Sequence, residues 1–136
     1  MEDKKKWSFV EVASIAVVLS VVSLSVIPRF TQASPESMIS ELIDGLHLMR
    51  SQLDLYRAQH NSSFPPVDSS ENFKKHMTTK VGEYGPYVDK IPVNPFNNLN
   101  TIRFDGEQAG ANRAGWRIDT RTGVFQSDDS VEHAAL

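Results

Sequence analysis

The most uneven feature of the chain is a hydrophobic segment close to its start. Trp7 to Ile27 carries one charge, on Glu11, and serine is the only polar residue type from Val12 to Ile27. These 21 residues would form a helix roughly 30 Å long, the thickness of a membrane's hydrocarbon core. Lys4–Lys6 precede the segment and only Arg29 closely follows it. The positive-inside bias therefore predicts a membrane anchor with a cytoplasmic N-terminus.

Two other interpretations of this segment are open. In a cleaved signal peptide, Lys4–Lys6 would be the basic region and Val12–Ile27 the apolar region. Three features argue against a signal peptide: the apolar region is rather long, Glu11 directly precedes it, and Thr31-Gln32-Ala33 is a poor cleavage site. In a soluble protein the segment would be a buried core helix, but a run of lysines followed by unbroken apolar sequence argues against this.

Two residues, Glu11 within the segment and Pro28 directly after it, do not fit a plain membrane anchor. A carboxylate one turn inside an apolar helix, as at Glu11, is costly unless a positive group pairs with it. Alternatively, Glu11 lies at headgroup level and stays solvated. Pro28 lacks an N–H and clashes with the preceding turn, so it predicts a kink or local loss of helix over Leu24–Ile27. Alternatively, Pro28 simply ends the membrane segment.

The next pattern predicts an amphipathic helix over Pro35–His60. Ser34 suits the N-cap, Pro35 the first helical position, and Glu36 the positive end of the helix dipole. Apolar residues recur at spacings of three and four along one side; they are Ile39, Leu42, Ile43, Leu46, Met49, Leu53 and Tyr56. The opposite side is polar and carries Glu41, Asp44, Gln52, Asp54 and Gln59. A stripe this short predicts packing on a sheet rather than a coiled coil.

A short helix and a long loop are predicted next. The helix is Ser69–Thr79, with Ser70 as its expected cap. Val81–Asn100 is the loop, because glycine, proline and asparagine punctuate it. Its larger side chains are expected to be pinned onto the domain; they are Tyr84, Tyr87, Ile91 and Phe96.

The end of the chain predicts a small antiparallel sheet. The expected strands are Thr101–Phe104, Ala114–Asp119 and Val124–Ser127. Gly123 is placed to take a positive φ in the last turn. Trp116 and Ile118 alternate with Arg117, so one face should be apolar and the other wet. The tail, Asp128–Leu136, is expected to fray.

The predicted fold class is therefore α+β. A long N-terminal hydrophobic helix continues into the amphipathic helix, and the amphipathic helix packs on a small antiparallel C-terminal sheet.

Composition narrows the possible functions. The chain has 136 residues, a net charge of −3 and no cysteine, which excludes disulfides and thiol chemistry within it. The sequence contains no basic patch with interleaved aromatic residues, so it gives no indication of nucleic-acid binding. The sequence contains no Gly-x-x-x-x-Gly-Lys loop and no Gly-x-Ser-x-Gly elbow, and its four histidines lack the spacing of zinc ligands. These observations predict a protein that is not an enzyme.

The N-terminal pattern resembles that of type IV pilins and type II secretion pseudopilins. In those families glutamate is fifth in the mature chain and proline commonly twenty-second; counted from Trp7, Glu11 is fifth and Pro28 is twenty-second. The stretch 85–96 is similar to a loop of major pseudopilins, and 115–125 is similar to their terminal hairpin. Two positions depart from the family pattern. Lys6 stands where glycine normally precedes the processing site, and Trp7 stands where phenylalanine usually begins the mature chain.

This resemblance implies a leader at 1–6, a transmembrane and assembly helix at 7–30, and a periplasmic globular domain at 31–136. It implies processing between Lys6 and Trp7 by a prepilin peptidase. It also implies that Glu11 of one subunit meets the N-terminal amine of its neighbour, and two desolvated opposite charges would fix the register between subunits. Loss of regular helix near Pro28 would let the segment bend as subunits leave the bilayer.

The implied function is that of a structural subunit of a type II secretion pseudopilus, which helps to export folded proteins across the outer membrane. The implied partners are further copies of the chain, minor pseudopilins, the inner-membrane secretion platform and the membrane itself. The implied location is the inner membrane, single-pass, and a periplasmic pseudopilus after assembly. The alternatives are a type IV pilin for adhesion or DNA uptake, and a secreted binding domain or small hydrolase behind a signal peptide.

Calcium is the one cofactor that the sequence raises. The carboxylates of Asp105, Asp119, Asp128 and Asp129 are candidate oxygen ligands. The resemblance also implies calcium binding, since related major pseudopilins bind calcium in a C-terminal loop. The alternative is that these are solvated carboxylates in turns.

Overall fold

The computed structural model describes residues 34–136, of which Glu36–Leu136 form one compact unit. The elements are α1 (Pro35–Gln59), α2 (Ser70–Thr78), β1 (Ile102–Phe104), β2 (Trp116–Ile118), β3 (Phe125–Ser127) and α3 (Val131–Ala134). The fold class of this part of the chain is α+β, as predicted. The predicted hydrophobic helix lies outside the described residues. Among 34–136, no helix has the length and apolar character needed to cross a membrane.

Helix α1 confirms the prediction from hydrophobic spacing. It ends at Gln59, one residue before the predicted end, because Asn61 and Ser62 adopt left-handed φ values of 53° and 65°. The N–H of Ser62 donates to the carbonyl of Arg57 at 2.7 Å, which closes the last turn. The residues buried along its inner side are Leu42, Gly45, Leu46, Met49, Leu53 and Tyr56.

Helix α2 has a different cap from the one predicted. Ser69, in extended conformation, accepts a hydrogen bond from the N–H of Asn72 at 3.1 Å and is the N-cap. Ser70 is the first helical residue, and its hydroxyl accepts the N–H of Ile102 at 3.1 Å. The prediction of Ser70 as cap was therefore wrong by one position, because Ser70 is used instead to join α2 to β1.

The loop after α2 is largely pinned onto the domain, as predicted. The N–H groups of Tyr87 and Val88 both donate to the carbonyl of Met77. Ile91 is buried, and Tyr87 and Phe96 pack against the core. Tyr84 is the exception, with 41% of its surface exposed.

The sheet has the order β1-β2-β3 and is mixed rather than antiparallel. Strands β2 and β3 pair antiparallel, as predicted, but β1 and β2 pair parallel, with Ile102 opposite Trp116. A parallel pair requires a long connection, and the segment 105–115 is long enough to return the chain to the same end of the sheet. This irregular connection carries much of the polar chemistry described below.

One face of the sheet forms the core with α1. Trp116, Ile118 and Phe125 are essentially inaccessible, and the indole N–H of Trp116 donates to the carbonyl of Pro92 at 2.8 Å. Gly45 of α1 lies against the Trp116 ring, where an added Cβ would come within 3.4 Å of it. The helix therefore packs close to the sheet at this point.

The opposite face of the sheet and the tail differ from prediction. Arg117 was expected on a wet face, yet only 8% of its surface is exposed, because α3 and the segment around Gln108 lie beside it and form the walls of a recess on that face. The tail was expected to fray, yet Asp128 is fully buried and Ser130 caps α3 by accepting the N–H of His133 at 3.2 Å. Both differences arise because the tail folds back over the sheet.

Candidate functional site

The predicted processing and assembly residues lie outside the described part of the chain. They are Lys6, Trp7, Glu11 and Pro28. The four predicted calcium ligands are described, and two of them lie in a cluster that we call the polar junction. Its members are Asn94, Arg103, Ser127, Asp128, Asp129 and His133, and it joins β1, the end of β3 and the start of α3.

Asp128 lies at the centre of the polar junction. Its Oδ2 accepts Nε of Arg103 at 2.8 Å, and its Oδ1 accepts Nη2 of the same guanidinium at 2.6 Å. Both oxygens also accept backbone N–H groups at 3.0 Å, from Gly110, Arg113 and Ala114. Five donors on one buried carboxylate leave it no capacity for a metal ion.

Arg103 is held equally firmly on its other side. Its Nη1 donates to the carbonyls of Asp105 and Glu107 at 2.8 Å, and its Nη2 donates to the carbonyl of Gln108 at 3.0 Å. The guanidinium therefore supplies positive charge within a ring of backbone carbonyls and a carboxylate. These are the ligand types that a hard cation such as calcium would otherwise use.

These contacts determine the protonation of the pair. Burial raises the pKa of Asp128, but the hydrogen bonds from Arg103 and from the backbone N–H groups outweigh it, so the net shift is downward. The hydrogen bond to Asp128 raises the pKa of Arg103. The pair is therefore fully ionised at neutral pH.

Asp129 forms the second half of the polar junction. Its Oδ1 accepts Nδ2 of Asn94 at 2.9 Å and the hydroxyl of Ser127, and its Oδ2 contacts Nδ1 of His133. Burial raises the pKa of Asp129, but the hydrogen bonds from Ser127, Asn94 and His133 have the larger effect, so the pKa of Asp129 is lowered overall. Asn94 is fully buried and also donates to the carbonyl of Gly115 at 3.0 Å, so it ties the loop to the sheet.

The polar junction contains serine, histidine and aspartate but does not have the geometry of a catalytic triad. In a catalytic triad the histidine lies between the hydroxyl and the carboxylate. Here the carboxylate of Asp129 lies between Ser127 and His133, and Ser127 is fully buried. The arrangement can hold the tail in place, but it offers no accessible nucleophile.

The other two predicted calcium ligands are engaged elsewhere. Asp105 accepts the N–H of Thr120 at 2.8 Å and also its hydroxyl, and Asp119 accepts the N–H groups of Arg121 and Thr122 in the turn before β3. Within residues 34–136, no group of three or more histidine, cysteine or acidic side chains is placed to hold a metal ion. The four aspartates are thus not brought together as one site, and calcium binding stays a prediction.

Sequence reasoning missed four members of the polar junction: Arg103, Asn94, Ser127 and His133. The signal for Arg103 was present, since a lone arginine between Ile102 and Phe104 in a strand needs a buried partner or a wet face. Asn94 and His133 carried no comparable signal, because asparagine is common in loops and the tail was expected to fray.

Comparison with known proteins adds no relative. No family model matches the chain, and it matches neither a curated protein nor a solved structure.

Proposed function

We propose that this chain is a structural subunit of a type II secretion pseudopilus and acts by assembly rather than by catalysis. The single observation that carries the proposal is the spacing in the N-terminal sequence. One acidic residue, Glu11, interrupts an otherwise apolar run, and Pro28 follows it seventeen positions later. When Trp7 is counted as the first residue, these two residues occupy the fifth and twenty-second positions, as glutamate and proline do in the pilin-like families.

The described domain supports this proposal through its architecture. Helix α1 begins at Pro35, just after the hydrophobic segment in the sequence, and its apolar side packs on a small sheet. The loops that connect the elements are fixed by internal hydrogen bonds at the polar junction. A small domain with internally satisfied loops suits a subunit that must keep its shape while it is moved.

The proposed mechanism rests on the electrostatics of an apolar helix. After processing between Lys6 and Trp7, the new amine of one subunit pairs with Glu11 of its neighbour. Either charge left alone in the apolar environment is penalised, so only the register that joins them is favourable. Packing between the valine, leucine and isoleucine side chains of 12–27 supplies most of the affinity. The charge pair therefore sets the register of the filament.

The proposed setting follows from the same segment. The chain is held in the inner membrane by 7–30, with the N-terminus in the cytoplasm and 31–136 in the periplasm. Its partners are other copies of itself, minor pseudopilins and the secretion platform, and a prepilin peptidase processes it.

Substitution of Glu11 tests this function directly. Glu11→Ala is expected to stay in the membrane fraction but to be lost from filaments, because only the charge pair is removed. Glu41→Ala, which removes an exposed carboxylate on α1, is the matched control and should assemble normally. Shearing of cells followed by immunoblotting measures incorporation. A normal filament yield from Glu11→Ala would contradict the pairing mechanism.

A further inference from the structure

The outer face of the sheet carries a recess of about 560 Å³ that no other part of the described domain fills. We call it the Arg117 recess. Arg117 of β2 and Gln126 of β3 line it together with Arg121, and Val131 and Ala134 of α3 form an apolar wall. Its volume lies within the range of roughly 300–1,000 Å³ typical of small-molecule sites.

Arg117 is buried there without an acidic partner. Its Nε is inaccessible and has no hydrogen-bond partner, and its Nη1 donates only to the neutral Oε1 of Gln126, at a long 3.3 Å. Within residues 34–136 it forms no ion pair. A buried guanidinium so poorly satisfied is costly, because the charge has lost water without gaining compensation.

Two neighbouring carboxylates, Asp105 and Asp119, do not supply that compensation. Both oxygens of Asp105 are engaged by Thr120, and those hydrogen bonds chiefly account for the low pKa of Asp105, with smaller contributions from Arg117 and Arg121. Asp119 accepts two backbone N–H groups in its own turn. Because Nε is inaccessible, the donors of Arg117 that remain for a group from outside the domain are those of its two Nη nitrogens.

We propose that the Arg117 recess binds a small organic monocarboxylate with a short aliphatic body. A guanidinium presents a planar fork that matches a carboxylate through two parallel hydrogen bonds. Arg121 lies at the rim with its side chain 89% exposed and 3.9 Å from Asp119, so its positive charge is partly offset by that carboxylate. The wall of Val131 and Ala134 provides contacts for an aliphatic body. Asp105 and Asp119 nearby oppose a multiply charged anion, which favours a monocarboxylate over sulfate or phosphate.

Calorimetric titration of the full-length chain in detergent micelles with sodium butyrate tests this inference. Butyrate is expected to bind saturably, and sodium sulfate at matched ionic strength is expected not to bind. Arg117→Gln should weaken butyrate binding about tenfold or more, since the charge-assisted hydrogen bonds are lost. Arg113→Gln is the matched control, because it removes the same charge from an exposed side chain outside the recess. Equal butyrate affinity in wild type and Arg117→Gln, or no saturable binding by wild type, would overturn the proposal.

A second variant keeps the test decisive if Arg117→Gln does not fold. Ala134→Leu fills the apolar wall without changing any charge, and it should also abolish butyrate binding. Sedimentation of the same samples identifies the other possible occupant, an acidic side chain from a second copy of the chain. If the chain self-associates through an Arg117-dependent contact and butyrate fails to compete, the recess is a protein contact and the monocarboxylate proposal is wrong.

Discussion

Arg103 and Asp128 form a two-point ion pair, with Nε to Oδ2 at 2.8 Å and Nη2 to Oδ1 at 2.6 Å, and the Asp128 side chain is fully buried. The two residues are 25 positions apart in the sequence and lie on β1 and just after β3. Because the same carboxylate also accepts three backbone N–H groups from the connection 105–115, one pair fixes β1, that connection and the tail together.

Removing the arginine of this pair should be strongly destabilising. Arg103→Met keeps much of the side-chain volume but leaves the buried charge of Asp128 without its cation, so we expect the free energy of unfolding to fall by about 3–5 kcal/mol. Urea unfolding followed by tryptophan fluorescence measures the change. The control is Arg113→Met. The ion pair between Arg113 and Glu107 is largely exposed, so its loss should lower the free energy of unfolding by at most about 1 kcal/mol. Equal losses in the two variants would contradict a special role for the buried pair.

The polar junction should make the domain sensitive to acid. The folded-state pKa values of Asp128 and Asp129 lie below the ordinary value of 3.8, so the unfolded chain binds more protons between the two values. The free energy of unfolding therefore rises with pH in that window. The contribution is complete above about pH 5 and is lost as the pH falls through 3.8 and then through the lowered folded values.

Urea unfolding at a series of pH values tests this dependence. Asp128→Asn should flatten the acid limb of the stability curve, because its carboxyl no longer titrates. Asp54→Asn, an exposed carboxylate on α1, should leave the limb unchanged. An acid limb as steep in Asp128→Asn as in the wild type would show that other groups cause the acid sensitivity.

Calcium should have little effect on the described domain. The five donors on Asp128 and the three on Asp129 are protein groups, so a calcium ion would have to displace existing hydrogen bonds. We expect the midpoint of thermal unfolding to be the same in calcium and in a chelator, within the scatter of the measurement. A midpoint that rises with calcium concentration would instead support the calcium prediction.

Gly115 should tolerate no side chain. A Cβ at this position would lie 2.1 Å from the carbonyl oxygen of Leu99, which is backbone and cannot move aside easily. Gly115→Ala is therefore expected to destabilise the domain by about 3 kcal/mol. Gly82→Ala is the control: it has a positive φ of 68° but open space around it, and it should cost only about 1 kcal/mol. A smaller loss for Gly115→Ala than for Gly82→Ala in urea unfolding would contradict the close approach.

The parts of the fold that sequence predicted are those set by local spacing. The stripe of α1 repeats every three or four residues, and Gly123 has the positive φ expected of its turn. The parallel pairing of β1 with β2 was missed because it depends on where the irregular connection 105–115 returns the chain. The burial of Arg117 was missed for the same kind of reason, since the covering element, α3, was expected to fray.

In the candidate site, too, the sequence indicated some residues, but their partners depend on the fold. Asp128 and Asp129 were predicted as calcium ligands; the structure places both in the polar junction, where protein donors occupy their oxygens, and calcium binding itself stays a prediction. Their partners were not predicted, since Arg103 and Asn94 come from positions 25 and 35 residues away. Carboxylates alone suggest a metal site, and only the fold places the guanidinium that neutralises Asp128.

The central claim is that residues 7–30 remain in the mature protein and carry its assembly. N-terminal sequencing of the protein purified from membranes tests this claim most directly. A first residue of Trp7, in a chain that sediments with the membrane fraction, is the predicted result. A water-soluble monomer that begins near Ser34 would contradict it, because the whole hydrophobic segment would then have been a removed signal peptide.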